Sequence, residues 1–164
     1  MGEGKIQDAS DISIRVAMAR DAPMLAKARY ALRSSTGHAV EDESEFVLRC
    51  TRWMEDRLQK SSAWRCWIAE KTQAPVGNVW VQLIEKIPNP ASKSEYYAYL
   101  SNFYVNVDVR NTGIGSLLLS TALSWCRDQN VSAVILWPTE RSRSLYLRHG
   151  FEVPDDVWEL LLEK

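Results

Sequence analysis

The stretch Val109–Leu118, VRNTGIGSLL, decides how the rest of the chain is read. A cation, two small polar residues and two glycines stand directly in front of an apolar run. Upstream, the aromatic and β-branched residues from Tyr96 to about Val107 read as a long strand. Downstream, Ile114, Leu117, Leu118, Ala122, Trp125 and Cys126 recur at helical spacing up to about Asp128. The glycines therefore mark a strand-to-helix junction. The first N–H groups of a helix have no intrahelical partner, and the helix dipole makes that end electropositive. With glycine at 113 and 115, an anion meets no side chain on its way to those amides, and Arg110 adds a charge-assisted contact. The same residues also read as a plain tight turn.

Two other phosphate motifs do not fit. A P-loop needs GxxxxGK[ST], and the lysine and the spacing are missing. A dinucleotide fingerprint GxGxxG needs its third glycine at position 118, where Leu118 belongs to the apolar helix face.

Working outward, Ile12–Ala17 alternates as a strand. A helix follows, with Asp21 as its N-cap, Pro23 in its first turn and Gly37 as its stop. From Ser44, the residues Phe46, Val47, Cys50, Trp53, Met54 and Leu58 line one face of a second helix. WRCWIAEK (64–71) and PVGNVWVQLIEK (75–86) form a predicted hairpin, with a turn in the TQAP segment. SAVILW (132–137) reads as a buried strand, RSRSLYLRHG (141–150) as a short helix closed by Gly150, and VWELLLEK (157–164) as a last strand. The order is β α α β β β α β α β.

At 164 residues, 46% hydrophobic and 25% charged, the chain is one globular domain, 1–164, with residues 1–10 as a flexible tail. Its 20 Lys and Arg against 21 Asp and Glu lack the basic excess of a nucleic-acid binder. No run approaches the ~20 apolar residues of a membrane span. Cys50, Cys66 and Cys126 have no CxxC spacing, which argues against a disulfide framework or a zinc site and fits a reducing cytoplasm.

VNVDVRNTGIGSLL, followed about thirty residues later by SLYLRHGF, resembles the Gcn5-related N-acetyltransferase (GNAT) superfamily. Arg110, Gly113 and Gly115 match its R/Q-x-x-G-x-G/A signature, and Tyr146, Gly150 and Phe151 match the Y-x-x-x-G-F ending of its fourth helix. The likeness runs through the element order from Ile12 to the final strand. It departs at Val107, where the family often has Pro, at Thr139, where Asn is common, and at Ser142, often Ala. The fold implied is α/β (α+β): a mixed, mostly antiparallel twisted sheet of six to seven strands flanked by four helices and splayed after the fourth strand.

The resemblance further implies acetyl-CoA as cosubstrate, and no metal. Backbone groups of Phe103, Tyr104 and Val105 would pair with the pantetheine arm. Arg110, Asn111, Thr112, Gly113, Ile114, Gly115 and Ser116 would hold the pyrophosphate, and Thr139 and Ser142 would lie near the thioester end. By the same likeness Tyr146 is the general acid that protonates the departing thiolate, and a backbone N–H near Val105 meets the oxyanion. Between Glu95 and Asp108 there is no carboxylate to act as base, so either Asn102, Tyr99 or Ser101 orders a water that relays the proton, or the acceptor amine loses it to solvent before attack. Tyr99 and His38 are implied acceptor contacts. His149, in a last helical turn, reads as a cap. Arg143 and Arg148 reach either CoA phosphates or solvent. The acidic run Glu41–Glu45 reads as a rim that attracts a cationic amine or as the dipole-stabilising start of a helix. Most of the seven tryptophans read as core.

The function implied is transfer of the acetyl group from acetyl-CoA to a primary amine of a small molecule or peptide. The alternative is a non-catalytic acyl-CoA-binding sensor or interaction module on the same fold. Homodimers are common among similar proteins, and the strand-forming C-terminus offers an interface.

Overall fold

The computed structural model describes residues 11–35, 37 and 41–162. The 1–10 tail and His38 lie outside them. The elements are β1 (Ile12–Val16), α1 (Ala22–Ser34), α2 (Glu43–Lys60), β2 (Trp64–Lys71), β3 (Ala74–Glu85), β4 (Tyr96–Val105), α3 (Ile114–Asp128), β5 (Val131–Ile135) and α4 (Arg143–Arg148). The sheet order is β1-β2-β3-β4-β5. Its first three pairings are antiparallel, and the last, across the α3 crossover, is parallel.

The β2–β3 turn is tighter than the sequence suggests. Lys71 pairs with Ala74, so the loop is only Thr72–Gln73, both at positive φ (50° and 64°), as a two-residue hairpin of this hand requires.

Alternation along the strands divides the core into two layers. Trp67, Ala69, Val79 and Val81 pack with Ile114, Leu118, Leu119 and Ala122 of α3. Cys66, Ile68 and Trp80 pack with Leu25 and Ala26 of α1 and Met54 of α2.

The expected last strand is absent among the described residues, and the sheet has five strands rather than six or seven. Residues 151–162 form neither helix nor strand, with Trp158 93% and Leu162 86% exposed. Pro154, Asp155 and Asp156 interrupt the approach to this segment. The run Leu160-Leu161-Leu162 also lacks the two-residue alternation that sets a strand's register against a half-buried edge.

Asp21 occupies the residue before α1 but makes no capping bond into that helix. Its carboxylate turns back, accepting the Met18 N–H at 2.7 Å and two bonds from the Arg15 guanidinium at 2.7 and 2.9 Å. Arg15 also donates to Glu70 on β2 at 2.8 Å. The network ties β1, the start of α1 and β2 together. Arg15 and the Met18 amide hold the Asp21 carboxyl below its ordinary value against the opposing effect of burial. A carboxylate whose pKa is depressed by folding stabilises the fold above the unfolded-state pKa and ceases to do so as pH falls through the folded one. Asp21→Asn should therefore cost about 2–3 kcal/mol at neutral pH, since Arg15 is a third exposed and screened on that side. Urea unfolding of both proteins checks this: the difference should shrink below the ordinary carboxylate range, and a difference independent of pH would refute the ionic account.

Candidate functional site

β4 and β5 pair only from Tyr96↔Val131 to Tyr99↔Ile135, whereas β4 continues to Val105 against β3. Its second half thus has an open edge on the β5 side. β4 is also bulged there: Trp80 pairs with Ser101 and Asn78 with Tyr104, leaving Asn102 and Phe103 opposite Val79. Asn102 adopts the left-handed conformation (φ 47°), and its carbonyl accepts the Asn78 side-chain N–H at 2.8 Å. Its side-chain oxygen is buried without a partner.

A cleft of about 1090 Å³ opens at this divergence, walled by α1, α2, β4, the 109–116 turn and residues 137–148. In the turn, Asn111 (φ 62°) and Gly113 (φ 90°) are left-handed, a conformation that costs an ordinary residue roughly 1–2 kcal/mol. The first amide to bond back within α3 is that of Leu117, to the Gly113 carbonyl at 3.0 Å, so the amides of Ile114, Gly115 and Ser116 have no intrahelical partner. A Cβ on Gly113 would meet nothing within 4 Å, so the space above the turn is free. Arg110 donates from Nε to the Val105 carbonyl at 2.9 Å, clamping the strand end to the turn. The Ile114 side chain is buried in the core, which leaves its amide to serve the turn. Tyr104 and Thr112 are not among the lining residues; Thr112 donates to the Val109 carbonyl at 2.6 Å.

Tyr146 lies across the cleft, 7% exposed and packed between the rings of Phe103 (centroids 6.3 Å apart) and Phe151 (5.4 Å). The Tyr-x-x-x-Gly-Phe spacing has a local cause. Gly150 (φ 83°) donates to the Leu147 carbonyl at 3.1 Å and Phe151 donates to the Tyr146 carbonyl at 3.1 Å. This is the glycine-terminated helix end in which the second residue beyond the cap packs on the residue it bonds. The motif thus fixes the tyrosine. Its hydroxyl has no hydrogen-bond partner among the described residues, and burial pushes its pKa up to about 12.

His149 caps the same helix, with Nδ1–H donating to the Leu145 carbonyl at 2.9 Å and Nε2 lying 3.4 Å from the Ser120 hydroxyl. Thr139 and Ser142 line the cleft and bond each other: the Thr139 amide donates to the Ser142 hydroxyl oxygen at 2.9 Å. Arg148 lines the cleft, while Arg143 pairs with Glu140 at 3.1 Å.

The cleft lining also holds residues that the sequence reading did not assign to the site. Arg29, Arg33, Phe46, Trp53 and Trp137 stand there with the expected Tyr99, whose ring meets Trp137 edge-on at 5.1 Å. Trp53, assigned to the core from helical spacing, is 39% exposed on the cleft wall. The acidic run is engaged elsewhere. Asp42 caps α2 by accepting the Ser44 amide at 2.9 Å, and Glu41 holds Arg49 through two bonds at 3.1 and 2.6 Å. Among the described residues, the cleft lining contains six arginines and no carboxylate. Its one cysteine, Cys50, has a thiol pKa raised by burial, the opposite of an activated nucleophile.

The model of the acetyltransferase (GNAT) family matches residues 29–151. The chain belongs to that family. It is 24% identical, over 150 residues and 78% of its length, to an uncharacterised N-acetyltransferase of Methanocaldococcus jannaschii, and it spans 63% of that relative's length. Among solved structures, a predicted acetyltransferase of Clostridium acetobutylicum crystallised with acetyl-CoA is similar at a TM-score of 0.78 and 22% identity, over 92% of this chain and 96% of that one. A Gcn5-related N-acetyltransferase of Ralstonia eutropha gives 0.73 and 22%, over 92% and 98%. The shared fold is that of the GNAT proteins.

In this GNAT chain Gly150 should be indispensable to the placement of Tyr146. Gly150→Ala forces a Cβ into a left-handed residue, so the unfolding midpoint should fall by the equivalent of about 1–2 kcal/mol. A midpoint equal to wild type would show that the helix end tolerates another conformation.

Proposed function

We propose that this protein transfers the acetyl group of acetyl-CoA to a primary amine by direct attack. The observation that carries the reading is that three complementary features share one cleft: the open edge of β4, the unpartnered amides at the start of α3, and the unpartnered hydroxyl of Tyr146. The α3 amides, with Arg110, would hold the pyrophosphate. The β4 edge at Phe103–Val105 would take the pantetheine arm as an added strand does, by main-chain bonds.

The amine nitrogen forms a bond to the thioester carbon, the C–S bond breaks, and the sulfur takes a proton. Tyr146 is fully protonated at neutral pH and supplies that proton. Asn102, a lining residue whose side-chain oxygen is buried without a partner, would accept an N–H of the attacking amine or of an ordered water. With no carboxylate in the described lining, the amine would lose its proton to water. The positive field of the arginines lowers the affinity of the bound ammonium for that proton. The lack of a carboxylate base also favours a second reading, an acyl-CoA-binding module without turnover.

Tyr146→Phe should reduce kcat by roughly 10²–10⁴ with little change in acetyl-CoA affinity. Free CoA, followed with a thiol reagent over a panel of amines, reports the rate, and an unchanged rate removes Tyr146 as the acid. A wild-type protein that binds acetyl-CoA but releases no CoA with any amine would favour the module. Gly113→Trp fills the space above the turn and should weaken acetyl-CoA roughly tenfold or more in titration calorimetry. Normal affinity in a folded variant would move the pyrophosphate elsewhere.

A further inference from the structure

Where α1 walls the cleft stands a charge that no described carboxylate neutralises. Arg29, on the inner side of α1, is half-buried and lines the cleft, yet its guanidinium makes no hydrogen bond or ion pair among the described residues. The groups in electrostatic reach are Arg33, Cys50 and Tyr99. The first repels it. The other two are a thiol, whose pKa burial raises, and a phenol, and neither is a carboxylate. Burial and Arg33 both lower the pKa of the Arg29 guanidinium, yet arginine starts so far above neutrality that it stays charged.

Arg15 is this fold's contrasting case, a partly buried arginine bonded to two carboxylates. Arg49, beside the same cleft, is held by Glu41. Arg29 has no such carboxylate, and burying a lone charge is unfavourable unless something compensates it. Around it the wall is aromatic: Phe46, Trp53, Tyr99 and Trp137. A planar guanidinium with free donors beside an aromatic wall matches a carboxylate attached to an apolar body.

We propose that the acceptor is an amine that also bears a carboxylate, an amino acid with an apolar or aromatic side chain, and that Arg29 receives the carboxylate. The amine belongs to the acetyl-transfer reading above; the carboxylate contact does not depend on turnover. This assignment reverses the attraction expected from the acidic run, since the wall the acceptor meets is cationic. It also separates two anion sites in one cleft, with Arg110 and Arg148 by the α3 turn and α4, and Arg29 on α1.

The test uses binding, so that it stands apart from catalysis. N-acetylated amino acids with aromatic, aliphatic and polar side chains are titrated against the full-length protein, each beside its C-terminal amide. At least one aromatic or aliphatic acid should bind roughly tenfold or more tightly than its amide. Arg29→Gln should abolish that preference, while Arg29→Lys, which keeps the charge without the fork, should retain part of it. Arg29→Gln also removes an uncompensated charge, so its Tm without ligand should equal or exceed that of wild type, and its acetyl-CoA affinity should be unchanged. If no acid is preferred over its amide, or if Arg29→Gln keeps the preference, the proposal is overturned. Failure of the acetyl-transfer reading would appear separately, as absent acetyl-CoA binding or absent CoA release with the free amino acids that correspond to the preferred N-acetyl acids.

Discussion

The functional architecture depends on one divergence in the sheet. β4 has ten residues and β5 has five, and they part after Tyr99 and Ile135. The left-handed Asn102 bulges β4 where the pairing ends. A strand edge left without a neighbour exposes main-chain donors and acceptors that must be satisfied by water or by a ligand. The gap also admits the first turn of α3 on one side and α4 on the other, so a helix N-terminus and a buried phenol come to face the same space. Closing the gap with a longer β5 would remove the edge, the room above Gly113 and the access to Tyr146 together.

Charge is distributed around that gap unevenly. Several of the fold's carboxylates are committed to arginines: Asp21 and Glu70 to Arg15, Glu41 to Arg49, and Glu140 to Arg143. The lining keeps its arginines and excludes acids, although the chain as a whole has a net charge of only -1. A neutral composition therefore conceals a cationic cleft, whose field draws anionic groups.

Much of this was legible in the sequence, for reasons particular to each element. The glycine turn and the Tyr146–Phe151 motif are local, each depending on left-handed residues and hydrogen bonds that span a few positions, so both are visible in the sequence: the turn as an anion site or a plain turn, the Tyr146 motif through the family resemblance. The face of α2 was legible as a stripe, but periodicity says which residues share a face and not what the face meets. Met54 turned out to be core while Trp53, one residue away, walls the cleft. Asp21 sits at the expected position but bonds backward to Arg15, a partner six residues upstream whose approach is set by the sheet. Arg29 carried no local signal at all. It matters because of what is missing around it, and a missing partner is a property of three-dimensional packing. The last strand failed for the converse reason: its composition favours extension, but extension becomes a strand only where an edge in matching register accepts it.

The proton inventory of the cleft has a consistent logic. With a pKa near 12, Tyr146 is a weak acid for a thiolate of ordinary basicity, whose conjugate thiol ionises at about 8.5. Complete transfer between those two values would be uphill. The burial that raises the phenol, however, also raises thiols: Cys126 in the same fold is pushed to about 11, and Cys66 well above its ordinary value. A sulfur leaving beside Tyr146, between Phe103 and Phe151, would experience the same loss of solvation. Its proton affinity would rise towards that of the phenol as negative charge develops, which narrows the gap at the moment of transfer. Under the proposed mechanism, the apolar setting that makes Tyr146 hard to ionise would be the same setting that makes its proton useful.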